Sequence, residues 1–106
     1  MDTNQKIKEK VESNRVVLFM KGNRDFPQCG FSGRAVQILQ ALGAEFETSD
    51  VLMDDEIRQG IKDYSNWPTI PQLYVDGEFI GGSDIMMEMY QNGELKKKLD
   101  LSLIHI

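Results

Sequence analysis

The sequence predicts an α/β fold, a four-stranded mixed sheet flanked by helices on both faces, and three observations carry that prediction. Val16 to Met20 form an unbroken apolar, partly β-branched run, VVLFM, of the kind a strand buried on both faces requires. Ala35, Ile38, Leu39 and Leu42 follow at the helical spacing i, i+3, i+4, i+7, and a second strand-like stretch comes next. That strand-helix-strand order favours parallel pairing through a right-handed crossover. Asp76-Gly77 then stands between two short strand-like runs, the signal of a tight antiparallel hairpin.

At the N-terminus, Asp2 with Gln5 three residues later forms a capping box, and Ile7 and Val11 lie one turn apart, so a first helix is predicted up to about residue 13. Lys21-Gly22 ends the VVLFM strand. The second helix is predicted over 29–42, with Gly43 as its stop, and a second strand over 45–51. Over 54–64, Ile57, Ile61 and Tyr64 share one helical stripe, which Asn66-Trp67-Pro68 breaks. Residues 72–75 and 78–80 make the hairpin strands. Gly81-Gly82 turns the chain into a helix capped by Ser83 or Asp84, running to Asn92 and stopped by Gly93, and 94–101 is predicted helical. With 106 residues, and no repeat or linker, the chain is expected to form a single domain over 1–106.

Twelve basic against 17 acidic residues give a formal net charge of −5, a field that opposes nucleic acid and anionic membranes, so neither is an expected partner. An anionic ligand must therefore be caught by local cations. One cysteine cannot build a disulfide framework, and Cys29 with the distant His105 falls short of a structural zinc site. The first twenty residues mix acids and bases around a short apolar run, which predicts no signal peptide, transit peptide or membrane span. A reducing, cytoplasmic setting is the expected location.

Ligand sites of small α/β proteins lie outside the carboxyl ends of the parallel strands, where Cys29 falls within FPQCGFSGR. An unpaired cysteine is most often a small inert core residue. Its neighbours argue otherwise: Pro27 and Gly30 are loop residues, the apolar stripe begins just beyond Cys29, and Lys21 offers a nearby cation. A thiolate at a helix N-terminus is stabilised by free backbone N–H groups and the macrodipole, so Cys29 is expected to be exposed and nucleophilic. Two familiar cysteine chemistries fail on spacing. Only four residues separate Cys29 from Arg34, where a Cys-x5-Arg phosphate loop needs five. A papain-like nucleophile needs a general base, and His105 is the penultimate residue of a tail expected to fray.

MKG at 20–22, CGFS at 29–32, WPTIPQLYVDGEFIGG at 67–82 and the following Ser83-Asp84 together resemble the monothiol glutaredoxins of the CGFS class, over nearly the whole chain. The resemblance implies a thioredoxin-like fold, glutathione binding, and carriage of [2Fe-2S] clusters more than general disulfide reduction. It implies that Lys21 and Arg58 hold the glycine-end carboxylate of glutathione and that the backbone of Ile70, beside a cis Pro71, pairs with the cysteinyl part. The backbone of Ser83 and Asp84 would receive the γ-glutamyl carboxylate, the Asp84 side chain would answer the ammonium, and Cys29 would be both nucleophile and cluster ligand. Each position also has an ordinary reading: Lys21 as a solvated strand end, Arg58 as a surface residue paired with Asp54 or Asp55, Asp84 as an N-cap. Trp67 and Pro68 are expected to pack and shape a loop, and Met86, Met87 and Met89 to divide between helix surface and core.

Ser32 stands where a Cys-x-x-Cys protein carries its second thiol, and a hydroxyl does not perform thiol-disulfide exchange, so a resolving thiol must come from outside. A [2Fe-2S] cluster takes four thiolates. One chain offers one, so two chains and two glutathiones complete the set: a homodimer when cluster-bound, a monomer when apo. Apo iron-sulfur proteins are the expected recipients, with a BolA-like protein as a candidate second subunit. Two other functions stay open, a weak glutathione-dependent thiol-disulfide oxidoreductase using Cys29 as nucleophile and a redox-silent adaptor. Ser83 departs from a common family variant with a second cysteine, which excludes a disulfide between that position and Cys29. The C-terminal LSLIHI has no assigned family counterpart.

Overall fold

β1 (Val16–Met20) is buried along its whole length, and its alternation decides the architecture. Val16, Leu18 and Met20 enter one core with Ala35, Val36, Ile38 and Leu39, whereas Val17 and Phe19 enter a second core with Ile7, Val11, Ile57 and Ile61. A strand whose side chains project alternately to opposite faces can feed both cores only if helices cover both sides. The computed structural model describes residues 2–104, so His105 and its expected frayed setting lie outside the described residues.

α1 (Thr3–Ser13) begins with the predicted capping box: Asp2 Oδ1 accepts from Gln5 N–H at 2.8 Å and Asp2 N–H donates to Gln5 Oε1 at 3.1 Å. α2 (Gly30–Ala41) and α3 (Asp55–Ser65) lie on opposite faces of the sheet, and α1 packs on α3 where Gly60 leaves room for Thr3; a Cβ at Gly60 would come within 2.6 Å of Thr3 Cγ2. β2 (Glu47–Asp50) pairs parallel to β1, with Val17 opposite Glu47 and Met20 opposite Asp50. β3 (Gln72–Val75) pairs antiparallel to β1, and β4 (Glu78–Gly81) antiparallel to β3, giving the sheet order β2-β1-β3-β4. Asp76 and Gly77 carry φ of 52° and 78°, the two left-handed positions of the predicted hairpin turn. α4 (Ser83–Asn92) and α5 (Glu94–Ile104) complete the first core through Met86, Leu95 and Leu99. Met87 and Met89 are partly buried against that core, as expected of residues shared between surface and interior.

Besides one-residue shifts at the ends of α2, α3 and β4, three boundaries differ from the sequence reading for a visible reason. β2 is shorter than 45–51, because the Asp50 carboxylate accepts from Leu52 N–H at 3.0 Å and winds Val51–Met53 into a single 3-10 turn. α4 is capped by neither Ser83 nor Asp84: Gly82 is the N-cap and both lie in the first turn, so that Met86 N–H donates to Gly82 O at 2.9 Å. α5 continues past 101 to Ile104, docked by the Ser102 hydroxyl donating to Asp76 Oδ1 at 2.8 Å. No described helix is long and apolar enough to cross a membrane.

Candidate functional site

The chain between β1 and α2 folds back on itself before it delivers Cys29. Gly22 and Pro27 form an isolated antiparallel bridge, Gln28 N–H donates to Lys21 O at 2.9 Å, and Asn23 Oδ1 accepts from the N–H groups of Asp25 and Phe26. The Arg24 guanidinium lies 4.5 Å over the Phe46 ring and donates to the Phe46 carbonyl, and Asp50 Oδ1 accepts from Gly22 N–H at 2.9 Å. Gly22 has φ of 85°, and a Cβ there would stand 2.3 Å from Phe26 O. Gly22→Ala is therefore expected to cost about 2–4 kcal/mol from the left-handed strain and the backbone collision together. Urea denaturation checks this; an unchanged midpoint would mean that the loop tolerates the side chain.

Cys29 is the N-cap of α2, half-buried. Its Sγ accepts from Ser32 N–H at 3.3 Å and lies 3.3 Å from Ser32 Oγ. Ser32 is fully buried, and its Oγ accepts from Lys21 N–H at 3.0 Å, which leaves the hydroxyl proton free to donate to a thiolate. Burial alone would push the Cys29 thiol up. The Ser32 hydroxyl, the N–H groups of Ser32 and Phe31 and the Lys21 charge outweigh it and hold the thiol below its ordinary value. The residue expected to be exposed is thus half-buried, with its thiolate favoured.

Beside Cys29 opens a cleft of about 410 Å³, lined among others by Lys21, Arg58, Ile70, Ser83 and Asp84. Five of the six residues read from the sequence therefore converge on one cavity. Cys29 is not in its lining but adjoins it through Lys21 and Phe31, which line the cleft and also act on the thiol. The Ile70-Pro71 bond is cis. Arg58 makes no ion pair among the described residues, with Asp54 or with Asp55; Asp54 instead caps α3, where its Oδ1 accepts from Ile57 N–H at 3.1 Å. Trp67 and Pro68 shape the loop as expected and also line the cleft.

Sequence reading missed Lys62 and Phe31 as lining residues. Lys62 follows Arg58 by one helical turn, so the spacing that put Arg58 on a face could have found it. Two buried polar atoms in the lining residues, Trp67 Nε1 and Ser83 Oγ, have no hydrogen-bond partner among the described residues. Orphaned polar atoms of this kind are satisfied in folded proteins by water or ligand. With the cations Lys21, Arg58 and Lys62 and the carboxylate of Asp84 all among its lining residues, the cleft suits a small polar molecule bearing charges of both signs.

Residues 16–80 match the glutaredoxin family model. An uncharacterized monothiol glutaredoxin of Synechocystis sp. is 63% identical over 96% of this chain and 95% of its own length. The chloroplastic monothiol glutaredoxin-S7 of Oryza sativa is 57% identical over 89% of this chain, which spans 56% of that protein. The solution structure of reduced poplar apo GrxS14 superposes with a TM-score of 0.83 at 52% identity, covering 94% of this chain and 92% of that one. A buckwheat glutaredoxin-glutathione complex superposes with a TM-score of 0.84 at 28% identity, over 94% and 89%. The four-stranded mixed sheet is the thioredoxin-like fold, and with a lone thiol at the N-cap of α2 the chain belongs to the glutaredoxin family, as a monothiol glutaredoxin.

Proposed function

We propose that the cleft binds glutathione and that two chains and two glutathiones together hold a [2Fe-2S] cluster for transfer to apo iron-sulfur proteins. The observation that carries this reading is a single thiolate-favouring cysteine adjoining a cleft with cations, an acid and orphaned polar atoms in its lining. Lys21 and Arg58, with Lys62 one turn beyond, receive the glycine-end carboxylate; the Ile70 backbone pairs with the cysteinyl amide in the manner of an added strand. The N–H groups of Ser83 and Asp84 at the start of α4 receive the γ-glutamyl carboxylate, and the Asp84 side chain takes the ammonium. In this orientation the ligand's sulfur would lie toward Cys29. The donor set suits the cluster as cargo: each chain contributes one thiolate and each tripeptide another, and removal of glutathione withdraws half the ligands. The protein is a monomer when apo and a homodimer when loaded, a BolA-like subunit can take the place of one copy, and the reducing cytoplasm supplies the glutathione.

Anaerobic reconstitution with iron, sulfide and glutathione tests the reading by visible absorption and sizing. The expected result is a coloured species at twice the monomer mass; the same species formed without glutathione would overturn it.

The lowered Cys29 thiol favours a second reading, reduction of glutathionylated proteins. The Cys29 thiolate would attack the glutathione sulfur, releasing the protein thiolate and leaving a Cys29-glutathione disulfide. A second glutathione thiolate would attack that disulfide, releasing glutathione disulfide and restoring the Cys29 thiolate. Brisk turnover of a glutathionylated substrate by the apo monomer would promote this reading over cluster carriage.

A further inference from the structure

Gln72 opens β3 with an amide where the strand pattern calls for an apolar side chain. It is wholly buried, sits opposite Phe19 in the sheet, and shares a face of β3 with Tyr74. A buried amide that only filled space would be a poor choice there, since leaving its polar atoms unpaired costs more than an apolar residue of the same volume. Here it is nearly saturated. Gln72 Nε2 donates to Trp67 O at 3.1 Å and to Thr69 O at 3.1 Å, and Gln72 Oε1 accepts from the Tyr74 hydroxyl at 3.1 Å. The orientation of the amide is settled by its partners: two carbonyls can only accept, so the NH2 faces them and the oxygen faces the hydroxyl.

Those two carbonyls belong to the irregular segment between α3 and the cis Ile70-Pro71 bond, and Trp67, Pro68, Thr69 and Ile70 all line the cleft. A segment with no ladder of its own is held in place by whatever donors the core offers it. One amide here spends both protons on alternate residues of that segment, and so fixes its curl from below. At the far end the segment is secured by Trp67 N–H donating to Ser65 Oγ at 3.1 Å and to Lys62 O at 3.1 Å. Phe79 packs on both the Trp67 and the Tyr74 rings, with centroids 5.8 and 5.5 Å apart. Tyr74 is pushed up to about 12, chiefly by burial, and therefore remains a hydroxyl donor throughout the neutral range.

We propose that Gln72 is the positioning residue for ligand recognition: from the core it sets the backbone of Thr69 and Ile70 in the conformation that the tripeptide must meet, without touching the tripeptide itself. This rests on the reading of the cleft as a glutathione site. Supporting shells of this kind typically change affinity when their polar partners are removed, even though the contacting atoms are untouched.

The test is equilibrium binding of reduced glutathione to the full chain, with the Trp67 indole N–H resonance as a second readout. Gln72→Met keeps the volume and removes all three bonds. It is expected to weaken glutathione binding roughly tenfold and to shift and broaden the Trp67 signal, while the rate of Cys29 alkylation stays within about twofold of the parent. Leu99→Ala, a cavity in the opposite core, serves as the control for general destabilisation: it should lower the melting temperature with no change in glutathione affinity or in the indole signal. Tyr74→Phe removes only the hydroxyl that donates to Gln72 Oε1 and is expected to give a smaller loss, roughly threefold, which keeps the proposal testable should Gln72→Met not fold. Parental affinity in folded Gln72→Met, or an equal loss in Leu99→Ala, overturns the proposal. If the parent chain binds no glutathione, the reading of the cleft fails, and the indole signal alone still decides whether Gln72 holds the loop.

Discussion

Cys29→Ser is expected to yield a folded protein that forms no coloured dimer and does not react with alkylating reagents. The two consequences separate because Cys29 has two roles. As the N-cap of α2 it accepts from Ser32 N–H, and serine is among the best N-cap residues, so helix stability should change by no more than about 0.5 kcal/mol. As the one thiol of the chain it has no substitute, because a serine hydroxyl neither ionises near neutrality nor exchanges with disulfides. Cys29→Ala would blur this by also removing the cap, at a cost of about 1 kcal/mol. The pH dependence of the parent gives the matching control. A thiol held below its ordinary value is alkylated at pH values where a free cysteine is still protonated, and the rate falls only as pH drops through the lowered folded value. By linkage, the stability contributed by the ionised thiol is present above the unfolded thiol's value and is lost as pH falls through the folded one. Ser32→Ala removes the main hydrogen-bond donor and should move the alkylation profile back toward higher pH. A reconstituted coloured dimer from Cys29→Ser would show that the ligand assignment is wrong.

The readable parts of this fold are those whose cause is local. VVLFM could be assigned to a central strand because an apolar run of strand length has few other uses, and Asp76-Gly77 because only a tight turn wants two left-handed residues in succession. The capping box at Asp2 and the positive φ of 68° and 84° at Gly43 and Gly93 follow from the same local rules. Boundaries failed where a side chain had two uses. Asp50 is the last residue of the strand and also the cap of a 3-10 turn that ends it; Ser83 and Asp84 looked like caps and lie inside the helix because Gly82 already occupies the cap position. The site divides in the same way. Cys29, Lys21 and Ser83-Asp84 lie in recognisable segments, whereas Lys62 and Gln72 have meaning only after the chain has brought α3 and the 67–70 segment together. Periodicity marks Gln72 as an anomaly in an apolar strand, but not what its amide would reach.

Arg58→Glu is expected to raise the dissociation constant for glutathione about 100-fold while leaving the fold and the Cys29 thiol unchanged. Arg58 is partly exposed on the first part of α3, lines the cleft, and has no ion-pair partner among the described residues, so its charge is available to a ligand. A charge-assisted hydrogen bond to a carboxylate contributes about 1.5–3 kcal/mol, and reversing the sign adds repulsion to the loss. The variant should fold, because an acid near the start of a helix is favourable to its dipole and Asp54 continues to cap α3. Thiolate stabilisation should also survive, since the cation acting on Cys29 is Lys21. Ionic strength supplies the internal check. If Arg58 meets a carboxylate, salt weakens glutathione binding in the parent by screening the attraction and weakens it less, or strengthens it, in Arg58→Glu. Lys62→Glu, one turn farther along, should follow the same pattern. Binding to Arg58→Glu with parental affinity and parental salt dependence would remove Arg58 from the site and with it the polarity assigned to the bound tripeptide.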